Sequence, residues 1–319
     1  MIFEKAIVDE YKKMTYARCD DTETVFYFDA ADFAGLKKEK YSFKSSLGHT
    51  LVGYIYSYEG ANDDKLIVFD HGLGGGHRAY MREIEMLCKR GYVVLAYDHT
   101  GCMESEGEGT NGLSQSLSDL NDCILSVKSD KRFCGVCISV IGHSWGAFST
   151  LNITALHPDI THIVAMCGFV SVKEMINTFF PGILRGYRKP VLALESATNP
   201  RFSSFDAITS LSESNVKALL IYSDNDKLCK KKHYDILNSA LSNKENVKFL
   251  LVSGKGHNPN YTQEAVKYLN GFSKARAKLY RRKKLTAEQK AHFVKSYNFQ
   301  KMTEQDEAVW EKIFRHLES

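Results

Sequence analysis

The stretch Ser139-Val140-Ile141-Gly142-His143-Ser144-Trp145-Gly146-Ala147 decides the fold. An apolar run of strand character stops at Gly142, a serine stands at its tip, and Gly146 precedes a helical segment from Ala147 to His157. A serine at so sharp a strand-to-helix turn projects its hydroxyl out of the sheet, and the turn leaves no room for a Cβ two positions to either side. The helix behind it aims its first amides at any oxyanion formed there. The competing reading is a glycine-flanked surface turn with a solvated serine. A buried strand before the turn and a helix after it weigh against that.

Outward from this turn, strands and helices alternate. Lys65-Leu66-Ile67-Val68-Phe69-Asp70 is a continuous apolar run, expected of a strand covered on both faces. It leads into His71-Gly72-Leu73-Gly74-Gly75-Gly76. Helical periodicity follows over Tyr80 to Arg90, Leu113 to Lys128, Ala147 to Leu156, Lys231 to Leu241 and Thr262 to Phe272. The intervening strands are Tyr92 to Tyr97, Cys137 to Ile141, His162 to Cys167, Lys217 to Tyr222 and Val247 to Val252. Such alternation implies right-handed crossovers and a doubly wound, mostly parallel sheet. Thr24 to Phe28, Lys40 to Lys44 and Thr50 to Tyr58 are rich in β-formers and read as an antiparallel region ahead of it. Between Cys167 and Lys217 the rhythm breaks. Met175, Ile176, Phe179, Phe180, Ile183 and Leu184 make that interval too apolar for a loose excursion, so it reads as a helical cap over the sheet's carboxyl edge.

Composition excludes several classes. The chain has 319 residues, 44% hydrophobic and 25% charged, so it can bury a sizeable core. A formal charge of +4 does not argue for nucleic acid. Met1 to Lys13 is too charged for a signal peptide, no apolar run approaches a membrane span, and eight cysteines are not a disulfide framework in a chain this long. The expected compartment is the cytoplasm. Past Phe272 the composition turns basic from Lys274 to Lys284, which reads as a solvated helix face. Thr286-Ala287-Glu288-Gln289 and Thr303-Glu304-Gln305-Asp306 look like helix starts. Trp310, Ile313, Phe314 and Leu317 form an apolar stripe that must pack, on the protein's own core or on a dimer partner. Assembly as monomer or homodimer stays open.

A serine nucleophile needs a base, an orienting carboxylate and donors for the developing charge. Asp226 follows the Ala218 to Tyr222 strand, with Asp224 its rival in the same loop. His257 sits in Ser253-Gly254-Lys255-Gly256-His257, last in the order Ser, Asp, His. The main-chain N–H groups of Leu73 and Trp145 can converge on a substrate oxygen. The glycine-rich loop fits neither a P-loop nor a dinucleotide fingerprint, so nucleotide binding is not expected. Cys134-Gly135-Val136-Cys137 has no second ligand pair for zinc and enters a strand, unlike a redox motif.

With these pieces in order, the chain resembles an α/β-hydrolase fold serine hydrolase of the capped type, similar to monoacylglycerol-lipase-like esterases and serine aminopeptidase-like members. The matching residues are His71-Gly72-Leu73-Gly74-Gly75, Asp98 to Gly101 with Ser105 to Gly107, Gly142 to Gly146, Ser223 to Asp226 and Gly256-His257, spanning roughly Thr50 to Phe272. One departure is Thr100, where the family often carries arginine. The resemblance implies an α/β-hydrolase fold: a mostly parallel central sheet flanked by helices, with a cap insertion and a C-terminal helical extension. The expected division is a core of 1–168 and 216–273, a cap of 169–215 and an extension of 274–319. It implies Ser144 as nucleophile, Asp226 as acid, His257 as base, Leu73 and Trp145 as oxyanion donors, no metal and no cofactor. Phe169, Met175, Phe179 and Phe180 are expected to wall an acyl pocket under the cap, or else only to join cap helices. The implied partner is a small-molecule acyl substrate, with no nucleic acid and no stable membrane span. The reaction expected first is carboxylic ester hydrolysis. Aminopeptidase and acyltransferase activity use the same triad, and a non-catalytic binding protein on this fold is the remaining alternative.

Overall fold

The computed structural model describes residues 2–20, 28–282 and 284–319. Eight strands are β1 (Lys37–Lys44), β2 (Thr50–Ser57), β3 (Asn62–Asp70), β4 (Tyr92–Tyr97), β5 (Cys137–His143), β6 (His162–Met166), β7 (Lys217–Ser223) and β8 (Val247–Val252). They form one sheet in the order β1-β2-β4-β3-β5-β6-β7-β8. The β1–β2 and β2–β4 pairs are antiparallel and the other five parallel. This is the fold expected from the alternation of strands and helices. Of the β-rich stretch Thr24 to Phe28, only Phe28 lies among the described residues, and it is not in a strand.

The chain passes from β3 to β4 on one side, then crosses back to β5 on the other. A crevice opens where the order reverses, and α/β sheets take their ligands there. Register sets Asp70 opposite Gly142, so the turns after β3 and β5 leave the sheet side by side.

Both sheet faces are covered, which is why the strand sequences are continuously apolar rather than alternating. Leu66, Val68, Val140, Ile163, Ala165 and Leu220 enter one core cluster, and Ile67, Phe69, Ile141, Val164, Met166 and Ile221 the other. Twelve α-helices surround the sheet among the described residues. In chain order the first four are α1 (Ile2–Thr15), α2 (Met81–Lys89), α3 (Gln115–Ser129) and α4 (Trp145–Asn152). Over the cap interval come α5 (Val172–Phe179), α6 (Arg188–Thr198) and α7 (Ala207–Ser212). The last five are α8 (Lys232–Leu241), α9 (Gln263–Arg282), α10 (Ala287–Lys295), α11 (Phe299–Met302) and α12 (Glu307–Leu317). No helix of the described residues is long and apolar enough to cross a membrane.

Four details depart from the sequence reading. Helix α9 runs unbroken past Phe272 to Arg282, so the boundary placed between 273 and 274 falls inside a helix; lysine and arginine propagate helix well. Asp306, not Thr303, caps α12, accepting the N–H groups of Ala308 and Val309. The Thr303 hydroxyl instead donates to the Phe299 carbonyl. Ile183 is 94% exposed and Leu184 is also exposed, because they ride on a 3-10 turn, Gly182–Tyr187, that buries no residue. Finally, α1 packs against the cap interval. The Tyr11 ring lies 6.4 Å from that of Phe179 and 6.2 Å from that of Phe180, and its hydroxyl donates to Glu195 Oε1 at 2.6 Å.

The apolar stripe of α12 packs on the chain's own sheet. Trp310, Ile313, Phe314 and Leu317 join Met81, Ile84 and Leu87 of α2 over the second face. Trp310 is fully buried, and its indole N–H donates to Gln305 Oε1 at 2.8 Å. Replacing it with alanine removes a large buried ring and leaves a cavity, at a cost of about 3–5 kcal/mol. Urea denaturation of Trp310→Ala is therefore expected to show a loss of that size; a loss under about 1 kcal/mol would mean that α12 is not part of the core.

Candidate active site

The turn after β5 is built by a close approach of main chains. A Cβ on Gly146 would strike the Asp70 carbonyl of β3, and one on Gly142 would strike the Gly146 carbonyl and the Thr150 hydroxyl. Only glycine lets α4 begin this close to β3. Ser144, held between them, adopts φ 56° and ψ −110°. For a residue with a Cβ that conformation costs on the order of 1–3 kcal/mol. The surrounding ladder holds it there: the Ser144 N–H donates to the Met166 carbonyl at 2.8 Å.

His257 reaches this serine from the loop after β8. Gly254 and Gly256 both have positive φ, 75° and 58°, which lets the loop curl back over the sheet edge. Side chains after β7 pin that loop by its amides. Asp224 accepts from Gly254 N–H at 2.9 Å, Asn225 from Gly256 N–H at 2.7 Å, and Ser223 from Lys255 N–H at 3.0 Å. On its other side Lys255 pairs with Asp306, the cap of α12. The two aspartates make different contacts. Asp224 clamps the loop, while Asp226 Oδ2 lies 2.7 Å from His257 Nδ1 and its Oδ1 accepts the Leu228 N–H at 2.8 Å. Ser144 Oγ lies 2.8 Å from His257 Nε2. With Nδ1 carrying the proton toward Asp226, Nε2 is free to accept the Ser144 proton.

Two residues that the sequence reading did not single out, Tyr80 and His143, link the three loops. The Tyr80 hydroxyl accepts the Gly72 N–H at 3.1 Å and lies 2.8 Å from His143 Nδ1. His143 Nε2 lies 2.6 Å from the His257 carbonyl, to which it donates. Burial, with the neighbouring His257 imidazole, lowers the His143 pKa to about 3, so the ring stays neutral. The chain Gly72–Tyr80–His143–His257 thus fixes the loop after β3, the serine turn and the histidine loop in one frame. Position 143 stands inside the quoted motif, but nothing local in the sequence marks its partners, 63 and 114 residues away.

Beneath the loop after β3 lies a buried charge cluster. His99 is fully enclosed between Asp70, 2.8 Å from its Nε2, and Asp119, 3.2 Å from its Nδ1. Burial opposes a charged ring, yet the two carboxylates raise the His99 pKa to about 10. Its main-chain N–H donates to His71 Nε2 at 3.0 Å, and the proton on His71 Nδ1 points to the Gly72 carbonyl at 2.8 Å. Burial and the adjacent His99 charge lower the His71 pKa to about 3.

A cavity of about 210 Å³ opens over Ser144. Gly72, Leu73, Trp145 and His257 border it, with Leu113, Phe169, Met175 and Phe179 as apolar wall. Neither the Leu73 nor the Trp145 N–H donates to another described residue. Met14 and Thr15 of α1 and Leu228 complete the rim, none of which the sequence reading anticipated. Phe180, expected in the wall, is not there: it turns away to pack on Tyr11. Cys167, Asp226 and His257 offer atoms within 4.8 Å of one another, a spacing that would suit a metal. The Asp226–His257 hydrogen bond and a Cys167 thiol kept protonated by burial do not suit one.

Comparison with known proteins agrees with this architecture. A family model described as Serine aminopeptidase, S33 (Hydrolase_4) matches residues 61–206, short of half the chain. That span holds Ser144 and the loop after β3 but neither Asp226 nor His257. Among solved structures, the Pyrococcus furiosus esterase Pf2001 is similar at 20% identity and TM-score 0.60, covering 88% of this chain and 99% of that one. Est1E from Butyrivibrio proteoclasticus, solved with ferulic acid, has 16% identity and TM-score 0.55 over 74% of this chain and 98% of its own. The α/β hydrolase GrgF from Penicillium sp. sh18 has 17% identity and TM-score 0.52 over 69% and 91%. No curated protein matches the chain. The chain has the α/β-hydrolase fold, and the family match supports a hydrolase of that fold.

The buried His99 cluster has a pH signature. The folded chain keeps the His99 proton up to about pH 10, whereas an unfolded imidazole releases it near about 6.5. Its stabilisation is therefore full below about pH 6.5 and declines as pH rises, vanishing above about 10. Denaturation midpoints are expected to fall more steeply between pH 7 and pH 10 in the wild type than in His99→Asn; parallel curves would place the proton elsewhere.

Proposed function

We propose that the protein is a serine hydrolase that cleaves small carboxylic esters through an acyl-enzyme on Ser144. The observation that carries this reading is the unbroken relay from Ser144 Oγ to His257 at 2.8 Å and on to Asp226 at 2.7 Å, at the floor of a largely apolar cavity. His257 takes the Ser144 proton as Oγ attacks the acyl carbonyl, and returns it to the departing alkoxide. Asp226 holds the imidazole tautomer and stabilises the imidazolium that forms. The Leu73 and Trp145 N–H groups face the tetrahedral oxyanion, and the loss of one such donor typically costs about 2.7–4 kcal/mol. Water, deprotonated by the same histidine, then releases the acid.

Cavity size and lining narrow the substrate. About 210 Å³ is below the roughly 300–1,000 Å³ common for pockets that enclose drug-sized ligands, which favours a short acyl group. An aminopeptidase must hold a free α-ammonium next to the scissile bond, and a carboxylate is the natural partner for it. Among the described residues lining the cavity there is no aspartate or glutamate. Ester hydrolysis is therefore favoured over aminopeptidase activity. Phe169, Met175 and Phe179 are the acyl-binding wall in this reading, and the cap interval 169–215 provides them.

The test is a panel of p-nitrophenyl esters, acetyl to dodecanoyl, run beside aminoacyl anilides. Hydrolysis is expected to peak at acetyl or butyryl, to fall with longer chains and to be absent for anilides. Ser144→Ala is expected to lose at least about 10⁴-fold in kcat. Preference for an aminoacyl anilide, or activity that survives in Ser144→Ala, would contradict the assignment.

A further inference from the structure

Cys19 and Cys102 face each other across an isolated parallel bridge between the segment after α1 and the loop after β4. The Cys19 N–H donates to the Gly101 carbonyl at 2.9 Å, and the Cys19 carbonyl accepts from the Met103 N–H at 3.0 Å. Directly paired residues send their side chains to the same face of the ladder, with chains about 4.7–4.9 Å apart. That lies inside the roughly 4.4–6.8 Å Cα window of a disulfide. The register is secured from both sides. The Arg18 guanidinium donates to the carbonyls of Met103, Ser105 and Gly107 at 2.8, 3.0 and 2.7 Å, and Thr110 Oγ1 donates to the Thr15 carbonyl at 2.6 Å.

The two thiols differ in character. The adjacent Cys102 thiol lowers the Cys19 pKa to about 7 against the cost of burial, and the Cys19 thiol itself donates to the Ala17 carbonyl at 3.9 Å. Cys102 is fully buried, and its thiol is pushed well up by the neighbouring Cys19 sulfur and by desolvation. Cys19 is half-buried. One partner is thus partly exposed and the other fully enclosed, an arrangement in which the first can meet an external disulfide and the second can resolve it. The side chain of Met103, next in the chain to Cys102, lies against Gly76 in the loop after β3 that carries Leu73.

We propose that Cys19 and Cys102 form a redox-active dithiol, closed to a disulfide by a low-molecular-weight disulfide such as glutathione disulfide, and that closure shifts Met103 against Gly76 and so disturbs the loop carrying Leu73. The Cys19 thiolate attacks one sulfur of glutathione disulfide and expels a glutathione thiolate, leaving a mixed disulfide. Cys102, losing its proton, attacks the Cys19 sulfur and expels the second glutathione thiolate. Glutathione disulfide is reduced by two electrons, and the protein pair is oxidised by two. The effect on the loop rests on the serine-hydrolase reading; the disulfide itself does not.

The experiment incubates the full chain with glutathione disulfide, alkylates the remaining thiols and maps peptides under non-reducing conditions. In parallel, the rate of Ser144 labelling by a fluorophosphonate is followed before and after dithiothreitol. A Cys19–Cys102 linked peptide is expected, while the exposed pair Cys134 and Cys137 acts as an internal control for general thiol oxidation. Labelling should slow by roughly tenfold and recover on reduction, a smaller effect than the roughly hundredfold or greater loss on removing an oxyanion donor. Cys19→Ser should be insensitive, and Cys102→Ser should retain glutathione on Cys19. The peptide map of the unsubstituted protein stands even if a variant does not fold. Cys19 recovered fully alkylated would overturn the dithiol. A linked peptide with an unchanged labelling rate would overturn its coupling to the loop. If the reduced protein takes no label at all, the serine-hydrolase reading fails while the peptide map still decides the dithiol.

Discussion

The contact between Gly146 and the Asp70 carbonyl constrains everything else in this molecule. It brings the start of α4 against the end of β3 and forces Ser144 into a left-handed conformation that a serine adopts only under compulsion. The strain is local, and the cohesion opposing it is distributed over two apolar sheet faces and their helices. Once the turn is fixed, the Ser144 hydroxyl stands clear of the sheet. The loop after β3 lies beside it because Asp70 and Gly142 are register partners.

The remaining groups arrive through side-chain-to-main-chain bonds, not through regular structure. Ser223, Asp224 and Asn225 each hold one amide of the 253–257 loop, and the Lys255–Asp306 pair ties that loop to the cap of α12. Tyr80 and His143 add a second tie from the opposite side. A histidine in a glycine-rich loop is mobile by default, and these contacts remove that freedom before any substrate arrives. Such preorganisation is how a site stabilises a transition state without reorganising during the reaction. The C-terminal helices are therefore tied, through Asp306, to the loop that carries His257.

How much of the fold and of the site is legible in the sequence depends on how local each signal is. Strands buried on both faces announce themselves as apolar runs, so β4 and β8 coincide with the expected spans. The serine turn was legible because its glycines are a steric requirement that no other residue meets. Asp226 was preferred to Asp224 only through the family resemblance, since both sit in one turn and the direction of each carboxylate is not written in the local pattern. Phe179 and Phe180 both meet Tyr11, but only Phe179, the last residue of α5, also lines the cavity; Phe180 is the residue that ends the helix, and the local pattern does not say which way such a side chain turns. Met14, Thr15 and the Cys19–Cys102 bridge left no trace in the local pattern, because their partners lie far away in the chain.

In the proposed mechanism Ser144 is made nucleophilic by its imidazole partner and carries the acyl group. Acid-quenched mixing of the protein with p-nitrophenyl acetate, followed by peptide mass mapping, tests it most directly. A burst of p-nitrophenolate is expected, matched by one acetyl group on Ser144 that forms and is lost at rates that sustain turnover. Turnover without acetyl on Ser144, or with the acetyl on another side chain, would contradict it.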